Sequence, residues 1–175
     1  NRKKLVNIMN DNFITHEIDE FAFILFHIQS IQDINKAFGH KMGDRAIITL
    51  SERLKYACNP LDHLGRFTTN EFAIVVNRKL SDQELIDYIN SIVTIMNALI
   101  ELCGGEYTAD ICTGAARFPD DAANVDELMT SADLAMQNAR FSENTKVVLY
   151  NPEMKQETLE KLNYQIRLTN ALKEK

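Results

Sequence analysis

At 175 residues, with 45% apolar and 25% charged residues, the chain has material for one domain with a sizeable core. Its net charge of −6 excludes a broad nucleic-acid surface, which needs clustered Lys and Arg, but not a single bound nucleotide. No apolar run reaches the length of a membrane span, the first residues lack a signal-peptide pattern, and Cys58, Cys103 and Cys112 form no CxxC pair, so they read as reduced core thiols of a cytoplasmic protein.

Leu5, Ile8 and Met9 share one face of a predicted helix over 2–13. Residues 21–28 are apolar throughout and read as a central strand buried on both faces. Residues 30–58 read as helix interrupted at 39–43, with Asp44 as N-cap of the second half and Ile47, Leu50, Leu54 and Ala57 on its inner face. Asn59-Pro60 stops it. The stretch 64–77 (LGRFTTNEFAIVVN) sets Thr68, Thr69 and Asn70 between two extended segments, a hairpin pattern.

The clearest helix is predicted over 81–102. Ser81 and Glu84 make a capping box, Leu85, Ile89, Ile92, Met96 and Leu99 recur at helical spacing, and Gly104-Gly105 terminates it. Residues 107–118 read as a strand, and 125–139 as a helix with Leu128, Met129, Ala132, Met136 and Ala139 inward. A short strand at 146–150 comes last, before a helix capped by Asn151 with Leu159, Leu162 and Ile166 as its stripe. With few strands and helices expected on one face, this order predicts an α+β domain with a ferredoxin-like antiparallel core sheet flanked by helices.

Several spacings coincide with those of one family. FGHKMGDRAIITLSERL at 38–54, RFTTNEF at 66–72, TGAARFPDD at 113–121 and SADLAMQNAR at 131–140 resemble, in order, segments of the GGDEF family, the diguanylate cyclases. Asn1-Arg2 resembles the close of the family's opening motif. The resemblance implies a nucleotidyl-cyclase-like, GGDEF-like domain over 1–150 whose opening motif is cut short. Residues 151–175 resemble the connecting helix that leads, in tandem proteins, into an EAL phosphodiesterase domain; a simple terminal helix is the plainer reading. A fragment of a longer protein, itself open to membrane anchoring elsewhere, is therefore expected.

The family joins two GTP molecules into cyclic di-GMP across a homodimer, with Mg²⁺ held by carboxylates. By the resemblance, the strand carboxylate falls on His27 and the turn carboxylate on Asn70, so both anions are replaced. A third acidic position falls on Gln29, and the two turn glycines on Thr68 and Thr69, whose branched Cβ atoms obstruct phosphate approach. Glu71 remains, but one carboxylate is no Mg²⁺ site, and no resident metal is expected. His27 alone reads as a hydrogen-bonded strand-end histidine, and Asn70 as a turn former. The guanine-reading positions fall on Asn35 and Asp44, and a phosphate-side cation on Arg140; a later basic position falls on Asn144. Asp44 as a cap and Asn35 as a solvated residue are the structural alternatives. The product-inhibition motif falls on 59–62, where Asp62 stands and the arginine is replaced by Asn59, so Asp62 reads as a loop residue. His16, His40 and His63 form no cluster suggesting a metal.

Three readings follow. The first is a catalytically degenerate domain that regulates or scaffolds a neighbouring EAL domain. The second is a GTP-sensing module using Asn35 and Asp44, with Mg²⁺ entering only alongside GTP. The third is an active cyclase with non-standard ligands. The partners considered are neighbouring domains, a second copy of the chain and GTP; a nucleic-acid polymer and a membrane contact by this domain are not expected.

Overall fold

The computed structural model describes residues 1–15, 19–102, 105–142 and 145–173, with side chains of 161–162 and 165–173 left aside. The elements run α1 (Arg2–Thr15), β1 (Phe21–Ile28), α2 (Ile31–Phe38), α3 (His40–Ala57), β2 (His63–Arg66), β3 (Glu71–Val76), α4 (Asp82–Met96), β4 (Ile100–Leu102), β5 (Gly105–Tyr107), β6 (Ile111–Phe118), α5 (Val125–Phe141), β7 (Val147–Leu149) and α6 (Pro152–Lys173). Five strands form one sheet in the order β2-β3-β1-β6-β7, and β4 pairs with β5 separately. The order β2-β3-β1-β6 with antiparallel neighbours is the expected ferredoxin-like core. β7 joins it parallel to β6, because the strand–helix–strand crossover through α5 returns the chain in the same direction.

β1 lies at the centre, and every one of its residues is buried. Ala22, Ile24, Phe26 and Ile28 face a core built with α2, α3 and α4. Phe21, Phe23 and Leu25 face a second core built with α1 and α5. Helices therefore cover both faces of the sheet, not one. A strand with no polar face demands this, since an apolar side left in water forfeits about 1.5–3 kcal/mol per large side chain. On α1, Leu5 and Met9 are buried as expected, Ile8 is half-buried, and Asn12 donates to Asn77 Oδ1 at 3.0 Å.

Three local expectations change. First, α3 starts at His40 with Gly39 as N-cap at φ 83°. Asp44 is thus not a cap but an exposed residue inside the helix. Glycine takes this left-handed φ without a Cβ clash, so the chain turns there, five residues earlier than a side-chain cap at 44 suggests. Second, the helix from Ser81 ends at Met96. Its capping box is present, with Ser81 N donating to Glu84 Oε2 at 2.9 Å. Its end is set from a distance: Arg53 donates to the carbonyls of Met96 (3.2 Å), Leu99 (2.7 Å) and Ala98. Residues 100–102 then become a strand, with Ile100 and Leu102 buried and Leu99 55% exposed instead of inward. Third, the predicted strand 107–118 is divided: Tyr107 closes β5 and Ile111 opens β6.

The expected cap Asn151 accepts from Glu153 N at 3.0 Å, and Asn124, which the sequence reading did not single out, caps α5 by accepting from Glu127 N at 2.9 Å. Among the described residues Cys58, half-exposed, and Cys112, buried, are free thiols. His16, Cys103, Gly104 and Asn144 lie outside the described residues, as do the side chains of Leu162 and Ile166; Leu159 is 53% exposed. Among the described residues no helix is long and apolar enough to cross a membrane.

Candidate functional site

β1 and β3 bring the site together at one end of the sheet. Their register sets His27 opposite Glu71. The alternation of β1 turns His27 to the α5 face, one step beyond Leu25. The hairpin turn 67–70 is pinned by its own backbone: Phe67 N donates to Glu71 O at 2.8 Å, and Ile28 N donates to Asn70 O at 2.9 Å. Arg66 reaches over the turn, its Nε donating to Thr68 O at 3.2 Å and its Nη2 to Thr69 O at 2.6 Å.

Four of the predicted site residues form one hydrogen-bonded cluster. His27 Nδ1 lies 3.2 Å from Glu71 Oε1. Asn70 Nδ2 lies 3.5 Å from His27 Nε2 and also 3.5 Å from the carbonyl of Ile28. Thr68 Oγ1 donates to Asn70 Oδ1 at 3.5 Å. A neutral imidazole satisfies this set, with Nδ1–H donating to Glu71 and Nε2 accepting from Asn70. His27 is 8% exposed.

Electrostatics follow this geometry. The His27 hydrogen bond holds the Glu71 carboxyl below its ordinary range, against the opposing effect of burial and with help from the Thr68 hydroxyl and the charge of Arg2. Burial raises the carboxyl of Asp133 on α5, and the negative charge of Glu71 adds to that rise. Asp133, Glu71 and Arg2 line one cavity of about 320 Å³ over Leu25, Phe67 and Met129. Nothing in local sequence marks Asp133 or Arg2 as neighbours of the turn; helix α5 and the first turn of α1 bring them there by tertiary packing.

These residues do not fit the Mg²⁺ that the resemblance implies. A hard cation of that kind wants several oxygen ligands in octahedral geometry. The turn offers one carboxylate, already bonded to an imidazole, beside an amide whose nitrogen faces that ring. Among the described residues no group of three His, Cys, Asp or Glu could hold a metal ion. Gln29 adds no charge, and its Nε2 is buried without a partner among the described residues.

Asn35 and Asp44 sit on the other helical layer, at the joint of α2 and α3. Asn35 folds over Gly43: a Cβ at 43 would lie 2.8 Å from Asn35 Cγ and nearer still to Oδ1. That Oδ1 is buried and has no hydrogen-bond partner among the described residues. Asp44, relieved of capping, is exposed. Arg140 is exposed in the last turn of α5 and acts electrostatically on Cys112, the residue paired with His27.

Asp62 is more than a loop residue. Its side chain is fully buried and paired with Arg78. Tyr88 Oη donates to Asp62 Oδ2 at 2.8 Å and accepts from Asn59 N at 3.0 Å. The guanidinium of Arg78 lies 4.8 Å over the Tyr88 ring. With both oxygens engaged inside the chain, Asp62 is not presented to a ligand. His40 is exposed and His63 half-buried, and among the described residues neither belongs to a metal cluster.

The family pattern described as "Diguanylate cyclase, GGDEF domain" matches residues 1–146. The bifunctional diguanylate cyclase/cyclic di-GMP phosphodiesterase MucR of Pseudomonas aeruginosa is 23% identical over 152 residues, 87% of this chain and 22% of MucR. The chain spans 22 to 34% of the length of curated relatives such as this one. The solved GGDEF domain of TpbB from Pseudomonas aeruginosa shares the fold at a TM-score of 0.78 and 21% identity, over 90% of this chain and 91% of that one. An EAL/GGDEF domain protein from M. capsulatus does so at 0.72 and 19%, over 87% and 99%.

Proposed function

The chain belongs to the GGDEF family of diguanylate cyclase domains, and from that premise we propose that it is a catalytically silent member, acting as a regulatory or scaffolding module for a neighbouring domain. The observation that carries this reading is the bond between His27 Nδ1 and Glu71 Oε1 at 3.2 Å. An imidazole stands where the reaction needs a strand carboxylate, and it occupies the one acid left at the turn. Phosphoryl transfer of this class depends on positioning and on neutralising charge with a divalent cation. Asn70 supplies no charge for that cation, and Thr68 and Thr69 place branched side chains where the phosphates must approach. A neighbouring EAL phosphodiesterase is the partner this reading favours, by analogy with tandem relatives.

A second reading rests on the orphaned Asn35 Oδ1 and the uncapped Asp44. Guanine has N–H donors for both, so GTP binding without turnover is a coherent alternative, weak because the triphosphate lacks its cation. Thermal unfolding with millimolar GTP and Mg²⁺ separates the two, since a ligand that binds only the folded state raises the midpoint. The silent reading predicts no rise for the parent. It predicts a Mg²⁺-dependent rise once His27→Asp, Thr68→Gly, Thr69→Gly and Asn70→Asp are combined. A rise in the parent with GTP but not ATP, lost in Asp44→Ala, overturns it in favour of the sensing module.

A further inference from the structure

Helix α3 turns Ala46, Ile47, Leu50 and Leu54 into the core and leaves Lys41, Arg45, Ile48, Glu52 and Tyr56 exposed on the opposite side. At 3.6 residues per turn, Lys41, Arg45, Glu52 and Tyr56 fall within roughly 30° of one line along the helix, with Ile48 beside it. Ile48 is 58% and Tyr56 85% exposed, large side chains to leave in water. Lys41, Arg45 and Glu52 form no ion pair among the described residues. Arg45 and Glu52 stand two turns apart, about 10 Å along the axis, too far to pair with each other. Arg53, the next cation along the helix, is spent on the carbonyls of Met96, Ala98 and Leu99.

We propose that this face of α3 is a self-association surface, on which a second copy of the chain lays its own α3 antiparallel to the first. The order of charge along the line carries the inference. Cations occupy its N-terminal half and the anion its C-terminal half, on either side of a midpoint between Ile48 and Thr49. A twofold axis through that midpoint sets Arg45 against Glu52 of the second copy, and Glu52 against Arg45 of the second copy. The same rotation brings Lys41 to the Tyr56 ring of the second copy and the two Ile48 side chains together at the centre. Steps of four, three and four residues from Lys41 to Glu52 are those of a helix–helix seam. A face whose charges reverse sign about its own midpoint complements itself, which selects a second copy over an unlike partner. One helix against one helix buries less than a standard interface, so the dimer belongs to the weak, concentration-dependent class. The surface contains none of His27, Thr68, Thr69, Asn70 and Glu71. It therefore differs from a pairing that brings two turn sites face to face, and it does not depend on whether the domain is catalytically silent.

The test is sedimentation equilibrium of the 175-residue chain over a rising concentration series, without nucleotide or divalent cation. The mass should climb from 20.0 kDa toward twice that value. Arg45→Glu and Glu52→Arg each set two pairs of like charges across the axis, and each should weaken association about tenfold or more. An equimolar mixture of these two variants regains opposite charges at both contacts and should associate like the parent. Ile48→Asp, at the centre, should weaken association and not be rescued by mixing with either variant. All three positions are exposed, and far-UV circular dichroism reports retention of the fold. A parent that stays at 20.0 kDa throughout overturns the proposal. So does a dimer that survives both charge reversals, which places the contact elsewhere, and so does a mixture that associates no better than its separate components.

Discussion

Replacing Gly114 with alanine drives a methyl group into the seam between β6 and α5. An ideal Cβ at 114 would lie 2.7 Å from Met136 Cα, and closer still to Met136 N and Ala132 O. Ordinary contact begins near 3.4 Å, so the Met136 backbone must retreat by at least 3.4 − 2.7 = 0.7 Å. These are backbone atoms, and no rotamer change relieves them. Helix α5 is itself seated by Leu128, Ala132, Met136 and Ala139 in the core, so its retreat loosens packing along the whole face. Overpacking of this kind costs about 1–3 kcal/mol, and the rigidity of both partners puts Gly114→Ala near the upper end, at ~3 kcal/mol. For a chain of this size that corresponds to a fall in Tm of roughly 6–12 °C. Urea unfolding followed by circular dichroism reads the loss as a lower midpoint at unchanged slope. Gly105→Ala is the control, because its nearest atom beyond neighbouring residues, Leu102 O, lies at an ordinary 3.7 Å. A Gly114→Ala variant within about 0.5 kcal/mol of the parent refutes the packing argument.

Arg53→Ala removes three bonds to the carbonyls of 96–99; a loss of about 1–2 kcal/mol is expected, with faster hydrogen exchange confined to the end of α4 and the β4–β5 hairpin. Asp62→Asn leaves Arg78 without its counter-charge and should cost about 2 kcal/mol, discounted from a fully buried pair because Arg78 keeps 29% of its side chain exposed; a double-mutant cycle with Arg78→Met measures the coupling. Glu71 carries a lowered folded-state pKa, so its contribution to stability is present above the unfolded carboxylate value and is lost as pH falls through the lower, folded one. Since the His27 bond is the largest cause, His27→Ala should move the Glu71 titration upward, read by ¹³C NMR of the carboxyl, and reduce the stability that disappears in acid.

Where neighbouring residues determine structure, the sequence was readable. The unbroken apolar run of β1, the Ser81 capping box and the polar turn between β2 and β3 all appear where their residue types place them. The end of α4 was hidden because helical spacing continues on paper through Leu99, while the group that stops the helix, Arg53, lies more than forty residues away. Asp44 reads as a cap because a carboxylate before an apolar stripe usually is one; Gly39 had already turned the chain. At the site, the meeting of His27, Asn70 and Glu71 could be expected from family spacing. The nearness of Asp133 and Arg2, and the sealing of Asp62 by Arg78 and Tyr88, depend on packing between elements and leave no local pattern.

The most direct measurement is product formation: the chain at high concentration with GTP and either Mg²⁺ or Mn²⁺, with cyclic di-GMP quantified by mass spectrometry. The account predicts none above a protein-free control, because the carboxylate pair that would hold the cation is replaced by His27 and Asn70. Cyclic di-GMP that accumulates with the parent chain and vanishes in Glu71→Ala would contradict it, and would mean that Glu71 leaves the imidazole to ligate a cation after all.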